Sequence, residues 1–350
     1  MTSRQRRVRL GEVRLRRNHH LPQGTVHRLV HDSKVLVGNA QGEPTRRELH
    51  VYTPPGWSER QRLPLLVDMP GFGGTGPIHT AWKALAENVP ERLDRLIAEG
   101  MPPVVAAFPD CAMRIGGNQY INSAGTGRYE DYLIREIVPY VEEHFGCGGP
   151  GRRGCFGKSS GGFGAIWHGL NHTDFWAAVA CNSGDMGWDA LHIPELYLSL
   201  DVLQRFGWSI ERFFADFEGK EKHNRAEMSC RMFLAMSAHY DPDASGFRHM
   251  SLPADSYTAE LIPDKWANWL RYDPVLVADR RGGALKQLKT LWLDCGNHDQ
   301  FRIHFGMRRL HRKLEAQGVA HVYEEFDDDH TDVDYRMNHF LPMLANALSA

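Results

Sequence analysis

The sequence lacks a hydrophobic run long enough to cross a membrane. A membrane-spanning helix needs about 20 consecutive apolar residues, whereas runs such as residues 103–108 have the length of a single strand. The chain also lacks an excess of charge of either sign, because its formal net charge is −2. A protein with so little net charge has no global field that attracts nucleic acid or an anionic membrane. We therefore predict neither partner, expect a small-molecule substrate, and leave a homo-oligomer open.

Paired cysteine motifs are also absent. Six cysteines are scattered along the chain without any C-x-x-C pair: Cys111, Cys147, Cys155, Cys181, Cys230 and Cys295. This distribution favours free buried thiols in a reducing compartment over a disulfide framework or a zinc site. We therefore predict a cytoplasmic protein without a metal or another cofactor.

The basic N-terminus has no apolar segment of the kind that a signal peptide carries. Residues 1–24 are rich in arginine and poor in acidic residues, which is also compatible with a transit peptide. The simpler interpretation is a solvated tail that leads into the first strand. We expect such a tail over residues 1–24.

The remaining sequence is that of a globular protein, with 42% hydrophobic and 24% charged residues in 350. Short β-branched runs alternate with helical patterns, such as those of residues 132–145 (which include Pro139) and 302–317. This alternation predicts an α/β domain with a mostly parallel sheet, formed by residues 25–184 and 289–350. The predicted strands cover residues 25–30, 47–53, 63–69, 104–108, 154–157, 177–181, 290–295 and 320–326.

Residues 185–288 interrupt this alternation. The segment shows helical patterns and four tryptophans but no convincing strand, and a structureless insert of this length would be unusual. We predict a helical cap over the active site, with apolar side chains in the wall of a ligand pocket. Trp188 is nearest in sequence to the sheet and is our candidate for a substrate-binding residue in the cap.

The strongest chemical signal is the pentapeptide Gly-Lys-Ser-Ser-Gly at residues 157–161. It follows an apolar strand and precedes a helix rich in small residues, which is the context of a nucleophile elbow. The flanking glycines are required where any Cβ would collide with a neighbouring strand or helix. A phosphate-binding loop is disfavoured because Arg152 stands where that motif needs glycine. We therefore predict that Ser159 is a nucleophile.

A nucleophilic serine needs a base and an acid that orients the base. In a sheet of this type the acid and then the histidine follow the serine along the chain. Asp299 and Asp294 are candidates for the acid, and we favour Asp299 because it lies beyond the strand. His330 follows the last strand and is the predicted base, with His298 as the alternative. The acidic run at residues 327–329 has a rival interpretation as a hard-metal site.

The oxyanion that forms on the substrate needs hydrogen-bond donors. One is expected from the backbone N–H of Ser160, directly after the nucleophile. The other is expected from the glycine-rich loop at residues 70–74, and we assign it to the N–H of Phe72. Gly71 and Gly73 would let this loop approach the substrate.

Together these segments resemble the putative esterase family of α/β-hydrolases, which includes enterochelin esterase-like and esterase D-like enzymes. The resemblance rests on residues 64–74, 129–141, 157–162, 183–184, 296–299 and His330. It implies an α/β-hydrolase fold with Ser159, Asp299 and His330 as the catalytic triad. The chain departs from the family at Pro70, where a histidine is usual, and at Lys158 and Ser160, which replace apolar neighbours.

The leading functional prediction is a serine hydrolase that cleaves carboxylic esters through an acyl-enzyme. The same triad would serve an acyltransferase, in which an alcohol replaces water. A non-catalytic binding protein on a hydrolase scaffold is the alternative of another class, and a peptidase is disfavoured because the chain shows no dedicated propeller or other extra domain.

Overall fold

The computed structural model describes residues 13–14 and 21–350, so the basic tail predicted over residues 1–24 lies mostly outside the described residues. The strands are β1 (Val13–Arg14), β2 (Thr25–Asp32), β3 (Arg46–Thr53), β4 (Leu65–Met69), β5 (Val105–Pro109), β6 (Asn122–Ser123), β7 (Gly127–Arg128), β8 (Arg153–Lys158), β9 (Ala178–Asn182), β10 (Thr290–Gly296) and β11 (Val322–Phe326).

The α-helices are α1 (Val89–Ala98), α2 (Tyr129–Asp131), α3 (Val138–Phe145), α4 (Ser160–Asn171), α5 (Trp188–Gln204), α6 (Ile210–Glu218), α7 (Arg225–Tyr240), α8 (Pro263–Leu270), α9 (Pro274–Arg281), α10 (Ile303–Ala316) and α11 (Met337–Ser349). Short 3₁₀ helices cover Glu59–Gln61, Gly76–Thr80, Phe247–His249, Gly282–Gln287 and Val333–Arg336. Within the described residues, no helix is both long and apolar enough to cross a membrane.

One large sheet organises the fold, with the strand order β1-β2-β3-β5-β4-β8-β9-β10-β11. The strands from β5 to β11 in this order are parallel, whereas β1, β2 and β3 add antiparallel pairs at one edge. The predicted mostly parallel sheet is therefore confirmed. The small hairpin β6-β7 lies outside this sheet.

Apolar side chains cover both faces of the sheet. On one face, Leu93 of α1 and Phe340 of α11 belong to a cluster with the sheet residue Phe156. On the other face, Phe163 of α4 and Leu310 of α10 belong to a larger cluster that also contains side chains from α5 and α7. Two-sided burial explains why the central strands are continuous apolar runs without alternation.

The helix predicted around Pro139 is irregular. A π-helical turn, Tyr132–Ile137, separates α2 from α3, and Pro139 occupies the first turn of α3. A proline there avoids the loss of a backbone hydrogen bond that it causes in a helix interior. The chain therefore accommodates Pro139 by a change in helical winding.

The segment between β9 and β10 is helical in the described structure. It contains α5 to α9 and one isolated bridge between Ala254 and Leu261. Because parallel strands end at the same edge of a sheet, the loops that follow β4, β8, β9, β10 and β11 meet at one edge. The predicted site residues outside the inserted segment lie on these loops or, for Ser160, at the first residue of α4.

Candidate active site

Ser159 lies in a tight turn between β8 and α4. Its backbone has φ 58° and ψ −126°, a conformation that is rare for a residue with a side chain. A Cβ atom added to Gly157 or Gly161 would collide with the carbonyl oxygen of Met69 on the neighbouring strand. Both flanking glycines are therefore required by close packing of the elbow against β4.

Asp299 and His330 form a hydrogen-bonded pair on adjacent loops. His330 Nδ1 lies 2.7 Å from Asp299 Oδ2, and the carboxylate is fully buried. The other carboxylate oxygen accepts a hydrogen bond from the Phe301 backbone N–H at 2.8 Å, and the Phe301 ring packs edge-on against the imidazole with centroids 5.0 Å apart. These contacts orient the ring and place the Nδ1 proton toward Asp299, which leaves Nε2 available as a base.

Ser159 and His330 line the same cavity of about 600 Å³. Its wall comes from the loop after β4, the end of β8, helix α7 and the loops after β10 and β11. The lining residues are Gly71, Phe72, Gly73, Gly74, Ile78, His79, Lys83, Lys158, Ser159, Arg225, Met228, Ser229, Met232, Phe301, His330, Asp332 and Asp334. This volume is in the range of small-molecule sites.

The glycine-rich loop after β4 passes directly beside the nucleophile. A Cβ atom added to Gly71 would lie 3.3 Å from the Cβ of Ser159. Gly74 N–H donates to the Gly71 carbonyl at 2.9 Å, which closes a turn with Phe72 and Gly73 at its centre. Central N–H groups of a turn are not used by the turn's own hydrogen bond. The Phe72 N–H is therefore not used by this turn, which lies on a loop that lines the cavity, and its role as an oxyanion donor stays a prediction.

The amide of Ser160 is the other predicted donor. Ser160 is the first residue of α4, and the first N–H groups of a helix have no acceptor within the helix. Its side chain is buried, and Gln119 Nε2 donates to Ser160 Oγ at 2.7 Å. The Ser160 side chain is therefore engaged inside the protein, and the role of its amide as an oxyanion donor stays a prediction.

Asp185 is a site residue that the sequence analysis missed. Ser159 Oγ donates to Asp185 Oδ1 at 3.4 Å, and Ser160 Oγ donates to Asp185 Oδ2 at 3.1 Å. Burial raises the pKa of Asp185 to about 6, although the nearby His330 and the two hydroxyl donors oppose this shift. An acidic residue soon after β9, which neighbours β8 in the sheet, is the signal that would have found it.

Asp294 and His298, the alternatives for the acid and the base, interact with other residues. Asp294 is fully buried in an ion pair with Arg336, at 2.8 Å. His298 contacts Asp327 at 2.9 Å on the exposed surface. Among the described residues, no group of three or more His, Cys, Asp or Glu side chains is arranged to hold a metal ion.

Trp188 does not line the cavity, and its selection as a substrate-binding residue was wrong. Its side chain is fully buried, and its ring packs against Tyr240 with centroids 4.3 Å apart. It begins α5, where a large apolar ring is more stable within the helical segment than beside water. The inserted segment contributes Met228 and Met232 of α7 to the wall instead.

Comparisons with known proteins identify the family and the fold of the chain. A family model described as “Putative esterase” matches residues 43–346, whereas no curated protein matches the chain. Among solved structures, a ferulic acid esterase is 21% identical with a TM-score of 0.60, over 93% of this chain and 99% of that chain. An S-formylglutathione hydrolase from Agrobacterium tumefaciens is 14% identical with a TM-score of 0.56, over 97% and 99%.

A third similar structure is the fluorophosphonate-binding serine hydrolase F (FphF) of Staphylococcus aureus. It is 16% identical with a TM-score of 0.54, over 94% of this chain and 99% of that chain. At these identities the structures establish the fold, and the family model, which spans most of the chain, establishes the kinship. The chain therefore belongs to the putative esterase family, a family of carboxylic ester hydrolases with the α/β-hydrolase fold.

Proposed function

We propose that the protein is a serine hydrolase that cleaves carboxylic esters with Ser159, His330 and Asp299. The observation that carries the proposal is that Ser159, with its strained backbone, and His330, oriented by Asp299, line the same cavity. Similar arrangements of serine and histidine serve acyl transfer in unrelated folds.

In the proposed reaction Ser159 Oγ attacks the ester carbonyl while His330 Nε2 accepts its proton. The Ser159 hydroxyl donates to Asp185 at 3.4 Å in the structure, and rotation about its Cα–Cβ bond redirects it toward the imidazole. Asp299 stabilises the imidazolium that forms. The N–H groups of Phe72 and Ser160 then bind the oxyanion.

The second half of the reaction releases the acyl group. His330 returns its proton to the leaving alcohol and then removes one from water, which attacks the acyl-enzyme. Gly71 keeps the loop close to the bound carbonyl, because a side chain there would press against Lys158 and Ser159. Gly73 has φ +80°, which favours glycine in the same turn. Residues 185–288 act as a cap in this proposal, and α7 contributes its part of the wall.

The proposal also includes the subgroup of the family and the cellular location of the protein. Within the family we place the protein with the enterochelin esterase-like and esterase D-like enzymes, on the sequence segments that resemble them. A cytoplasmic location is supported by the six cysteines, all of which are free and buried. Such thiols persist in a reducing compartment.

Hydrolysis of short p-nitrophenyl esters tests the proposed function. Ser159→Ala should lower kcat by about a thousandfold or more, because triad residues act as a unit. Ser160→Ala is the matched control and should lose less than tenfold, since the reaction uses only its amide. Residual Ser159→Ala activity within tenfold of the wild type would contradict the proposal.

A further inference from the structure

A cationic side chain stands beside the nucleophile without a partner. Lys158 ends β8, directly precedes Ser159, and lines the cavity. Among the described residues, no carboxylate oxygen lies within 4.0 Å of its ammonium group. Burial lowers the pKa of Lys158, while the more distant carboxylates of Asp334 and Asp332 oppose this shift. The ammonium is therefore partly desolvated, and the protein supplies no close counter-ion.

Two other basic residues of the cavity wall, Lys83 and His79, already have counter-charges from side chains. Lys83 donates to Asp334 at 2.8 Å. His79 Nδ1 lies 2.5 Å from Asp68, which is fully buried behind the cavity wall. Burial alone would lower the pKa of His79, but the Asp68 carboxylate raises it overall, so this pair also carries its own counter-charge. Neither of these two ion pairs requires a negative charge from a ligand.

Two further charged residues line the cavity at its exposed side. Arg225 begins α7, and Asp332 follows His330; both side chains are exposed to solvent. Water screens exposed charges strongly, so they influence a ligand less than Lys158 does. The rest of the wall near the nucleophile includes the apolar side chains of Met232 and Phe301.

A partly desolvated charge without a close partner loses part of its hydration energy, and a ligand of opposite charge compensates for that loss. We propose that Lys158 is an anion-binding residue of the substrate cavity and that the natural ester carries a carboxylate. This inference rests on the proposed ester hydrolysis and extends it to a substrate class. The carboxylate belongs to the acyl or to the alcohol part of the ester, and matched substrates separate these two placements.

Two pairs of esters test the proposal, each with an anionic and an uncharged member. For the acyl side the pair is mono-4-nitrophenyl adipate and its methyl ester. For the alcohol side it is 4-acetoxybenzoate and its methyl ester. In at least one pair the wild type should have a higher kcat/KM for the anion, mainly through a lower KM, and added salt should weaken the preference.

Lys158→Met should lower the ratio of the two kcat/KM values in that pair by about 10- to 100-fold, as expected for a charge-assisted hydrogen bond. Lys158→Arg should retain most of the preference, which a purely structural role of Lys158 would not require. Lys286→Met removes an exposed lysine outside the cavity and should leave the ratio at the wild-type value.

Failure of this inference is distinguishable from failure of the proposed function. If both members of each pair are hydrolysed equally well and Lys158→Met does not change their ratio, the anion site is wrong and the esterase stands. If none of the four esters is hydrolysed and a neutral fluorophosphonate does not label Ser159, the proposed function fails, and the anion site fails with it.

Discussion

Ser159 is held in its strained conformation by hydrogen bonds of its own backbone. Its N–H donates to the Asn182 carbonyl at 3.1 Å, and its carbonyl accepts from Phe163 at 2.8 Å and from Asp185 at 3.3 Å. A residue with positive φ persists only where its surroundings determine it this fully. The contacts extend from β9 to α4, so they fix the hydroxyl relative to the sheet.

Two buried aspartates near the site are expected to respond in opposite ways to the same substitution. Asp299→Asn should lower kcat by about a thousandfold or more with little loss of stability, because it changes the group that orients His330. Asp294→Asn should lower the free energy of unfolding by about 3 kcal/mol, because it leaves Arg336 buried with a weakened ion pair. Ester hydrolysis and urea unfolding of both variants check this, and the reverse ranking in activity would transfer the role of the acid to Asp294.

Asp185 should make stability depend on pH in a specific direction. Its pKa is about 6 in the folded protein against an ordinary value of 3.8. The folded state therefore keeps a proton that the unfolded chain releases, and stability falls as pH rises from about 4 through 6. Over this window the loss approaches about 3 kcal/mol.

The Asp185→Asn variant removes this titration. Relative to the wild type it should become more stable as the pH is raised from 4 to 8, and urea midpoints at the two pH values measure the change. A difference between the two proteins that is independent of pH would show that the buried carboxyl does not titrate in this range.

At the scale of elements, the inserted helices divide their apolar residues between a core of their own and the cavity wall. Trp188 of α5 packs with Tyr240 at the end of α7 and with Trp269 of α8. Met228 and Met232 lie earlier on α7 and reach the cavity. Helical periodicity predicts helices in residues 185–288, but it does not indicate which apolar side chains face a ligand and which face other helices.

Substitutions on α5 and α7 should affect stability and substrate selectivity separately. Trp188→Ala should destabilise the protein by about 4 kcal/mol, because it removes a large buried ring. Met232→Ala should cost about 1–2 kcal/mol, since its side chain is only half-buried, and should change the preference for acyl chain length. Thermal unfolding together with a series of p-nitrophenyl esters from acetate to octanoate checks both. A larger change of selectivity in Trp188→Ala would return the tryptophan to the substrate site.

At the scale of the whole molecule, the sheet brings together residues that are distant in sequence. The loops after β4, β8, β10 and β11 carry Phe72, Ser159, Asp299 and His330, and the parallel strand order places all four at one edge. The sequence predicted this arrangement because strand–helix alternation implies parallel strands, and parallel strands share a carboxyl-terminal edge.

Other features could not be predicted because they depend on tertiary contacts. The position of Asp185 soon after β9 marks it as a candidate, but its contacts with the two serines depend on how the loop after β9 packs against the elbow. The unpaired state of Lys158 is equally hidden, since the distances from its ammonium group to Asp332 and Asp334 are set by how the loop after β11 folds. Trp188 was misplaced for the same reason: burial of an aromatic ring favours a core and a pocket wall equally.

Covalent labelling with a fluorophosphonate tests the central claim most directly, because the probe reacts with an activated serine whatever the natural ester is. Intact-mass measurement should show one adduct on the wild-type chain, and peptide mapping should place it on Ser159. Ser159→Ala should take up no label, whereas Ser160→Ala should still be labelled. A label that persists in Ser159→Ala, or that maps to another serine in the wild type, would contradict the assignment of the nucleophile.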